Sequence, residues 1–365
     1  VYRKLFILVI ALMGSLTAKA NDTISIDTIS IDTIYIYDTL PDTTVVDSAA
    51  SDSALQELSL RERVKQRLTA QYYKIRFDTI YVKRPVGKVT LKFRVNQTGN
   101  TFHAKGTIRD IYSKADLSTS HKTTFSVAAL YRGIGVAIAI NPAKWGGIYN
   151  DYEFNLNYYS RMFSVDFSYQ RSESLSGDIR RGDNMLRMEK DDVEMDMVNL
   201  AATYTFNHRK FSYQAAFTQS YVQRRSAGSW LACLSYQGGS IKTTDALKAR
   251  NPQSPEVRIY LGHVGIGGGY GYNWVLGRKW LLHLSVMPTF VVFNRNNMTV
   301  NGERRKAEHM RFNMIFNERL AVVFNISSRL FTGVTLVMNN SIFDDSNIII
   351  NQNKWRARAF FGIRL

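Results

Sequence analysis

Few side chains in this sequence could carry covalent chemistry. The histidines are His103, His121, His208, His263, His283 and His309, and no pair has a metal-ligand spacing such as H-x3-H. No metal and no cofactor is expected. Ser285 follows His283 by two residues. On a strand that spacing puts both side chains on one face, with a hydroxyl beside an imidazole, the minimum for acyl transfer. The pairing is common by chance and the sequence places no third member, so the chain is expected not to be an enzyme. "GIGGGYGYNW" at 265–274 superficially resembles a phosphate loop, but a nucleotide fold needs a helix next and a strand pattern follows. Its glycines are expected at curvature or close packing. Arg181-Gly182-Asp183 falls in a polar stretch and is expected to be a solvated loop.

The stronger signal is charge placed by alternation. The chain ends "KWRARAFFGIRL", with Trp355, Ala357, Ala359, Phe361, Ile363 and Leu365 in one set and Lys354, Arg356, Arg358 and Arg364 in the other. A period of two puts these sets on opposite faces of a strand. "KVTLKFRVNQ" does the same with Lys88, Lys92 and Arg94. If the first and last strands meet in a closed barrel, the seven bases share one lumen, with Glu153 and Asp166 as counter-charges. Like charges at that range repel unless paired or screened. Two outcomes follow: an anion-selective lumen, or a salt-bridged filling that stiffens a narrow barrel.

The surrounding segments must deliver such a barrel. Residues 1–20 have a charged start, an apolar run from Leu5 to Leu16 and Ala18-Lys19-Ala20. That pattern predicts a cleaved export signal. Residues 21–52 carry Asp22, Asp27 and Asp32 in a five-residue repeat. Five is neither a helix nor a strand period, so an acidic periplasmic linker is expected, whose Ile pairs could add to a partner's sheet edge. Residues 53–76 predict an amphipathic helix, with Leu60, Val64 and Leu68 on one side. Residues 21–76 are together a candidate site for a periplasmic partner.

From 77 to 365 strand patterns take over. "YEFNLNYYSRMFSVDFSYQ" predicts a hairpin turning at Ser160-Arg161, with Tyr158 opposite Phe163 and Leu156 opposite Val165. "MVNLAATYTF–NHRK–FSYQAAFTQSY" predicts another hairpin. Short connections alternate with long polar stretches at 98–121, 172–193, 294–311 and 340–353, the outer-membrane barrel arrangement. Strand parity conflicts around "SWLACLSYQ": either "QRRSAGS" is no turn, or 237–260 hide a further strand. Twelve strands satisfy the even-number rule best, with fourteen as the alternative. A soluble β-sandwich or lipocalin-like barrel would instead bury the apolar face.

Four stretches, "FDTIYVKRP" (77–85), "YRGIGVAIAINPAK" (131–144), "FSYQAAFTQSYVQRRSAGS" (211–229) and "GIGGGYGYNWVLG" (265–277), resemble a family of Bacteroidetes outer-membrane barrels catalogued as domain of unknown function 4421. The resemblance implies an outer-membrane barrel and supplies no catalytic residues. The terminal strand is similar to the signal read by the barrel-insertion machinery.

The expectation is therefore an exported, all-β, antiparallel transmembrane barrel. It would be a narrow channel or a structural or assembly component of the envelope, with a membrane-embedded enzyme acting on lipid or lipopolysaccharide as the alternative. Residues 61–365 hold 47 − 3 = 44 bases against 30 − 8 = 22 acids, a balance of +22. For an exported barrel that excess points to lipopolysaccharide or an anionic solute, not to nucleic acid.

Overall fold

The computed structural model describes residues 29–36 and 77–365, apart from 86, 88, 109–110, 132–133, 148–150, 307–309 and 346–347. The signal and the helix expected at 53–76 lie outside the described residues. In chain order the strands are β1 (Ile29–Ile36), β2 (Val82–Lys83), β3 (Val89–Ile108), β4 (Ile111–Ser118), β5 (Lys122–Tyr131), β6 (Ile134–Ile140), β7 (Tyr152–Tyr159), β8 (Phe163–Ser172), β9 (Ser176–Arg181) and β10 (Asn184–Met188). They continue as β11 (Val193–Thr205), β12 (Val222–Gln223), β13 (Ala227–Thr243), β14 (Val257–Leu276), β15 (Trp280–Asn294), β16 (Asn297–Val300), β17 (Glu303–Lys306), β18 (Met310–Asn325), β19 (Leu330–Asp345) and β20 (Ile348–Arg364).

Twelve of these form the wall: β3, β5, β6, β7, β8, β11, β13, β14, β15, β18, β19 and β20. The ring closes where β20 pairs antiparallel with β3, from Ile348↔Gly106 to Arg364↔Thr90. Leu365 and Val89 extend the closure by exchanging backbone hydrogen bonds of 2.8 and 3.0 Å. Successive wall strands pair antiparallel except at one place. Among the described residues no ladder joins β6 to β7, and β1 lies between them. Part of the stretch expected to be a linker is thus a short strand seated between two of the twelve wall strands.

Burial is inverted relative to a water-soluble protein. On β3, Lys92, Arg94 and Asn96 are buried while Phe93 and Val95 are exposed. Trp230, Leu234, Ile266, Leu284, Phe290, Val334 and Phe361 are likewise exposed on other strands. An apolar outer band over a polar interior suits lipid outside and excludes a water-soluble sandwich. The fold is an antiparallel transmembrane β-barrel.

One end carries short turns, such as 277–279 between β14 and β15. The other end carries hairpin extensions: β3 runs on into β4, β9 pairs with both β4 and β10, and β16 with β17. Arg181, Gly182 and Asp183 sit exposed at the tip of the β9–β10 hairpin. Short helices α1 (Pro142–Trp145) and α2 (Asp245–Arg250) complete this end.

Two details of the predicted hairpins change. In β7–β8 the register is Tyr158↔Val165 and Leu156↔Phe167, two residues from the expected one. The turn is held by Ser160, whose N–H donates to Phe163 O at 2.7 Å and whose hydroxyl accepts from Phe163 N at 3.0 Å. An even shift keeps every side chain on its face, so alternation alone could not detect it. The second change is larger. After the turn at 206–210 the chain does not return as a strand. Residues 211–223 enter the lumen, and β13 begins only at Ala227. "QRRSAGS" is therefore no hairpin turn, which resolves the parity conflict in favour of twelve spanning strands.

Candidate functional site

The inserted segment fills the turn end of the barrel. Gln214–Thr218 form one π-helical turn, all five residues buried, and Gln219 follows with a left-handed φ of 54°. A non-glycine residue in that region is strained and must be held by its surroundings. Here Lys92 of β3 does so: its ammonium donates to Gln219 Oε1 at 3.0 Å and to Thr218 O. A cation at the carbonyl end of a helical turn also satisfies an otherwise orphan acceptor. Phe211, Tyr213 and Phe217 pack with the wall residues Leu231, Met287 and Phe331. Gly271 gives Phe211 its room, since a Cβ there would lie 3.1 Å from the ring's Cζ. The glycine run of β14 thus serves close packing: Cβ atoms at Gly267 and Gly269 would collide with Pro288 O and Val286 O of β15.

A chain of directed hydrogen bonds runs from the insert to the wall. Gln223 Nε2 donates to the carbonyls of Lys210 and Arg225, at 2.6 and 3.0 Å, which fixes its Oε1 as an acceptor. Asn273 Nδ2 donates to that oxygen and to Ser212 O, each at 3.1 Å. Asn273 Oδ1 therefore faces His283 Nδ1 at 2.7 Å and requires a proton there. His283 Nε2 is left as acceptor for the Ser285 hydroxyl at 3.0 Å. Tyr213 OH in turn donates to Ser285 Oγ at 3.2 Å. Nucleophile, base and orienting amide stand in the order acyl transfer requires. Asn273 and Ser285 are 0% exposed and His283 1%, and the insert occupies the space a substrate would need. In this conformation the relay is a clamp on the insert.

Above the insert lies a cavity of ≈ 100 Å³ with a mixed polar and apolar lining, Phe217, Ile315 and Val337 among its residues. Asn155, Asn157, Asn199, Gln237 and Asn317 line it with Asp166 and the guanidinium-bearing Arg319, Arg356 and Arg358. Arg319 donates to Asp166 Oδ2 at 2.5 Å and to Tyr159 OH at 3.3 Å, and lies over the rings of Tyr213 and Phe217. Arg356 reaches Glu153 Oε1 at 3.5 Å and also bonds Asn155 Oδ1. Arg358 Nε donates to Asn96 Oδ1 at 2.6 Å. Toward the hairpin end an apolar layer forms from Phe102, Met195 and Met197 with Leu247 of α2.

The seven bases singled out from the sequence are spread along the wall. Arg356 and Arg358 line the cavity; Lys354 lies nearer the hairpin end, with Ser168 Oγ 3.5 Å away. Arg94 bonds Ser126 Oγ at 3.0 Å, and Lys92 holds the insert. Arg364 closes the turn end, donating to Asn325 Oδ1 and Ser328 O with its guanidinium 4.3 Å from the Phe331 ring centre. Lys88 lies outside the described residues. Glu153 faces Arg356, whereas Asp166 takes Arg319, a residue the sequence reading missed. Its signal was parity: Arg319 shares alternation with Asn313 and Asn317 on β18. Asn273 and the whole insert were missed because one was counted in a glycine run and the other as a strand. Among the described residues no cluster suits a metal ion.

Among the solved structures that resemble the chain are outer-membrane proteins. The outer membrane protease OmpT of Escherichia coli has 6% identity over 80% of this chain and 100% of its own, with TM-score 0.36. The translocator domain of the autotransporter NalP from Neisseria meningitidis has 9% identity over 88% and 100%, with TM-score 0.29. OprG of Pseudomonas aeruginosa has 9% identity over 77% and 97%, with TM-score 0.27. No curated protein matches the sequence. One family profile covers residues 76–364, which hold the twelve antiparallel wall strands, and the chain belongs to that family, described as domain of unknown function DUF4421.

Proposed function

We propose that the protein is an outer-membrane barrel that rests shut, and that its arginine- and amide-lined chamber is a stopping point for a small anion on a gated path. The observation that carries this reading is the insert: residues 211–223 fill the turn end, where an apolar cluster with the wall, Lys92 and the Asn273–His283–Ser285 relay hold them. The chamber sets three guanidiniums, of Arg319, Arg356 and Arg358, against the carboxylates of Asp166 and Glu153. A surplus cation in a confined polar space favours anions. A volume of ≈ 100 Å³ suits a few waters or one small solute, not an open pore.

The test is single-channel recording in planar bilayers. The natural protein should be silent at rest. A variant with Gln214–Gln219 replaced by Gly and Ser should conduct with anion preference. Steady large conductance from the natural protein would overturn the shut-barrel reading. Silence from both would leave a structural envelope component.

The Ser285–His283–Asn273 relay favours a second reading, a hydrolase uncovered when the insert moves. A fluorophosphonate should then label the insert-replaced variant and not its Ser285→Ala derivative. No labelling of either removes that reading.

A further inference from the structure

A second hollow lies on the outer face of the wall, near the turn end. Two rows of outward residues cross consecutive strands there, from β15 through β18, β19, β20, β3 and β5 to β6. By register the first row runs Trp280↔Phe324↔Thr332↔Phe361↔Phe93↔Val127↔Ile138. The second sets Val322, Val334, Ala359, Val95, Phe125 and Ile140 side by side. Side chains shrink in the middle of both rows, at Thr332 in the first and at Val334 and Ala359 in the second. Aromatic rings stand on both flanks: Trp280 with Phe324, their centres 4.4 Å apart, on one, and Phe93 with Phe125 on the other. The result is a trough of ≈ 840 Å³. Thr332 is the one polar residue of the two rows. The other polar residues of the lining, Arg94 and Ser126, are buried and bonded to each other at 3.0 Å. A cylinder is convex toward lipid, so an even apolar belt would leave no such hollow.

Charge gathers at one rim of the trough. The β14–β15 turn carries Arg278 and Lys279, directly before Trp280, and the β18–β19 turn carries Arg329, three residues before Thr332. All three bases are exposed. The first turn is tied to the end of β18, where Asn325 N donates to Lys279 O at 2.8 Å, so the bases of both turns border the same end of the hollow. Neither turn and no lining residue is acidic. An occupant must therefore offer hydrocarbon to the trough and an anion to the rim. Guanidinium and ammonium groups beside a membrane attract anionic headgroups, and the arginine fork matches a phosphate. Short turns of such barrels face the periplasm, where the leaflet is glycerophospholipid. We propose that the trough is a binding site for an anionic glycerophospholipid, with acyl chains over Ala359 and Val334 and the phosphate among Arg278, Lys279 and Arg329. The flanking rings and the small floor set its shape, and the unopposed bases set its preference for a net negative head.

Native mass spectrometry of the full chain in detergent tests this, with phosphatidylglycerol, phosphatidylethanolamine and lipid A offered together at equal concentration. The natural protein should retain phosphatidylglycerol several-fold in preference to the other two. Arg278→Gln, Lys279→Gln and Arg329→Gln combined should abolish that preference. Ala359→Trp, which fills the floor, should cut retention of every lipid several-fold. Val292→Trp, at an exposed position toward the hairpin end of β15, should not. Gel mobility before and after boiling reports a closed barrel in each variant. The turn variant changes only exposed residues and reads the site even if Ala359→Trp fails to fold. Equal retention of phosphatidylglycerol and phosphatidylethanolamine, or a preference untouched in the turn variant, overturns the phosphate site. Equal losses in Ala359→Trp and Val292→Trp reduce the trough to part of a general lipid belt and overturn the proposal. Preferred retention of lipid A overturns the choice of glycerophospholipid.

Discussion

Replacing Asp166 by Asn should loosen the insert by a calculable amount. Arg319 is 4% exposed, and its only carboxylate partner among the described residues is Asp166 at 2.5 Å. The substitution keeps the shape and removes the charge, so the guanidinium is left to Tyr159 OH and the rings of Tyr213 and Phe217. Breaking a buried pair from one side costs roughly 3–5 kcal/mol. The Asp166 side chain is 21% exposed toward the cavity, and water there brings the cost to about 3 kcal/mol. For the 289 residues from 77 to 365, at ~2.1 cal/mol/K per residue, the unfolding entropy is about 0.6 kcal/mol/K, so the midpoint should fall by ~5 °C. The readout is the temperature at which the compact, detergent-resistant species converts to the slower unfolded band on a gel. Asp166→Leu with Arg319→Met should recover most of the loss, because an apolar pair leaves no unpaired charge. An unchanged midpoint in Asp166→Asn, or a double variant as poor as the sum of the singles, would refute the pinning role of Arg319.

Gly271→Val should push on Phe211 and cost ~1–3 kcal/mol of overpacking, lowering the same midpoint, whereas Gly268→Ala, whose Cβ meets only Leu231 O at 3.4 Å, should be near neutral. At the hairpin end, outside the spanning strands, burial disfavours the charge of Asp151. Lys122 at 2.9 Å and the hydroxyls of Ser174 and Ser172 outweigh it and hold the carboxyl below its ordinary range. A folded value below the unfolded one, ~4, means the stabilisation is whole above that pH and is lost as pH falls through the folded value. The midpoint should be flat from about pH 7 to 5 and drop below about 4, and Asp151→Asn should lower it at pH 7 while flattening the acid limb. In the conducting insert-replaced variant, Arg358→Glu should reduce anion preference in reversal-potential measurements. An unchanged preference would place the selective step elsewhere.

The wall was legible because period-two alternation survives in a membrane, where each face meets one solvent. Trp355 to Leu365 could be assigned to faces without knowing any neighbour. Register was less legible: the β7–β8 pairing differs by two residues, a shift alternation cannot see. The insert was misread because Phe211, Tyr213, Ala215 and Phe217 alternate as a strand would. What makes them an insert is the absence of a partner strand and the presence of Lys92, more than a hundred residues earlier. Asp166 was expected among lumen counter-charges, but its partner depends on which strands face each other across the barrel. The repeat was read as a linker because five matches no regular period, yet Ile29–Ile36 pair as β1, with the register shifting between Ile31 and Thr33.

The insert is continuous with β11 at one end and β13 at the other. Tethered at both ends, it can swing at the turn end but cannot leave the barrel as a separate stopper could. Its contacts include β3, the first strand of the ring, through Lys92. Seating the insert and closing the ring are thereby coupled: the strand that receives β20 is also the strand whose Lys92 holds 211–223. A chain whose insert fails to seat would meet its own last strand with the cavity unfilled. Its ring can still close through the β3–β20 ladder, leaving a cylinder with an open bore at the turn end.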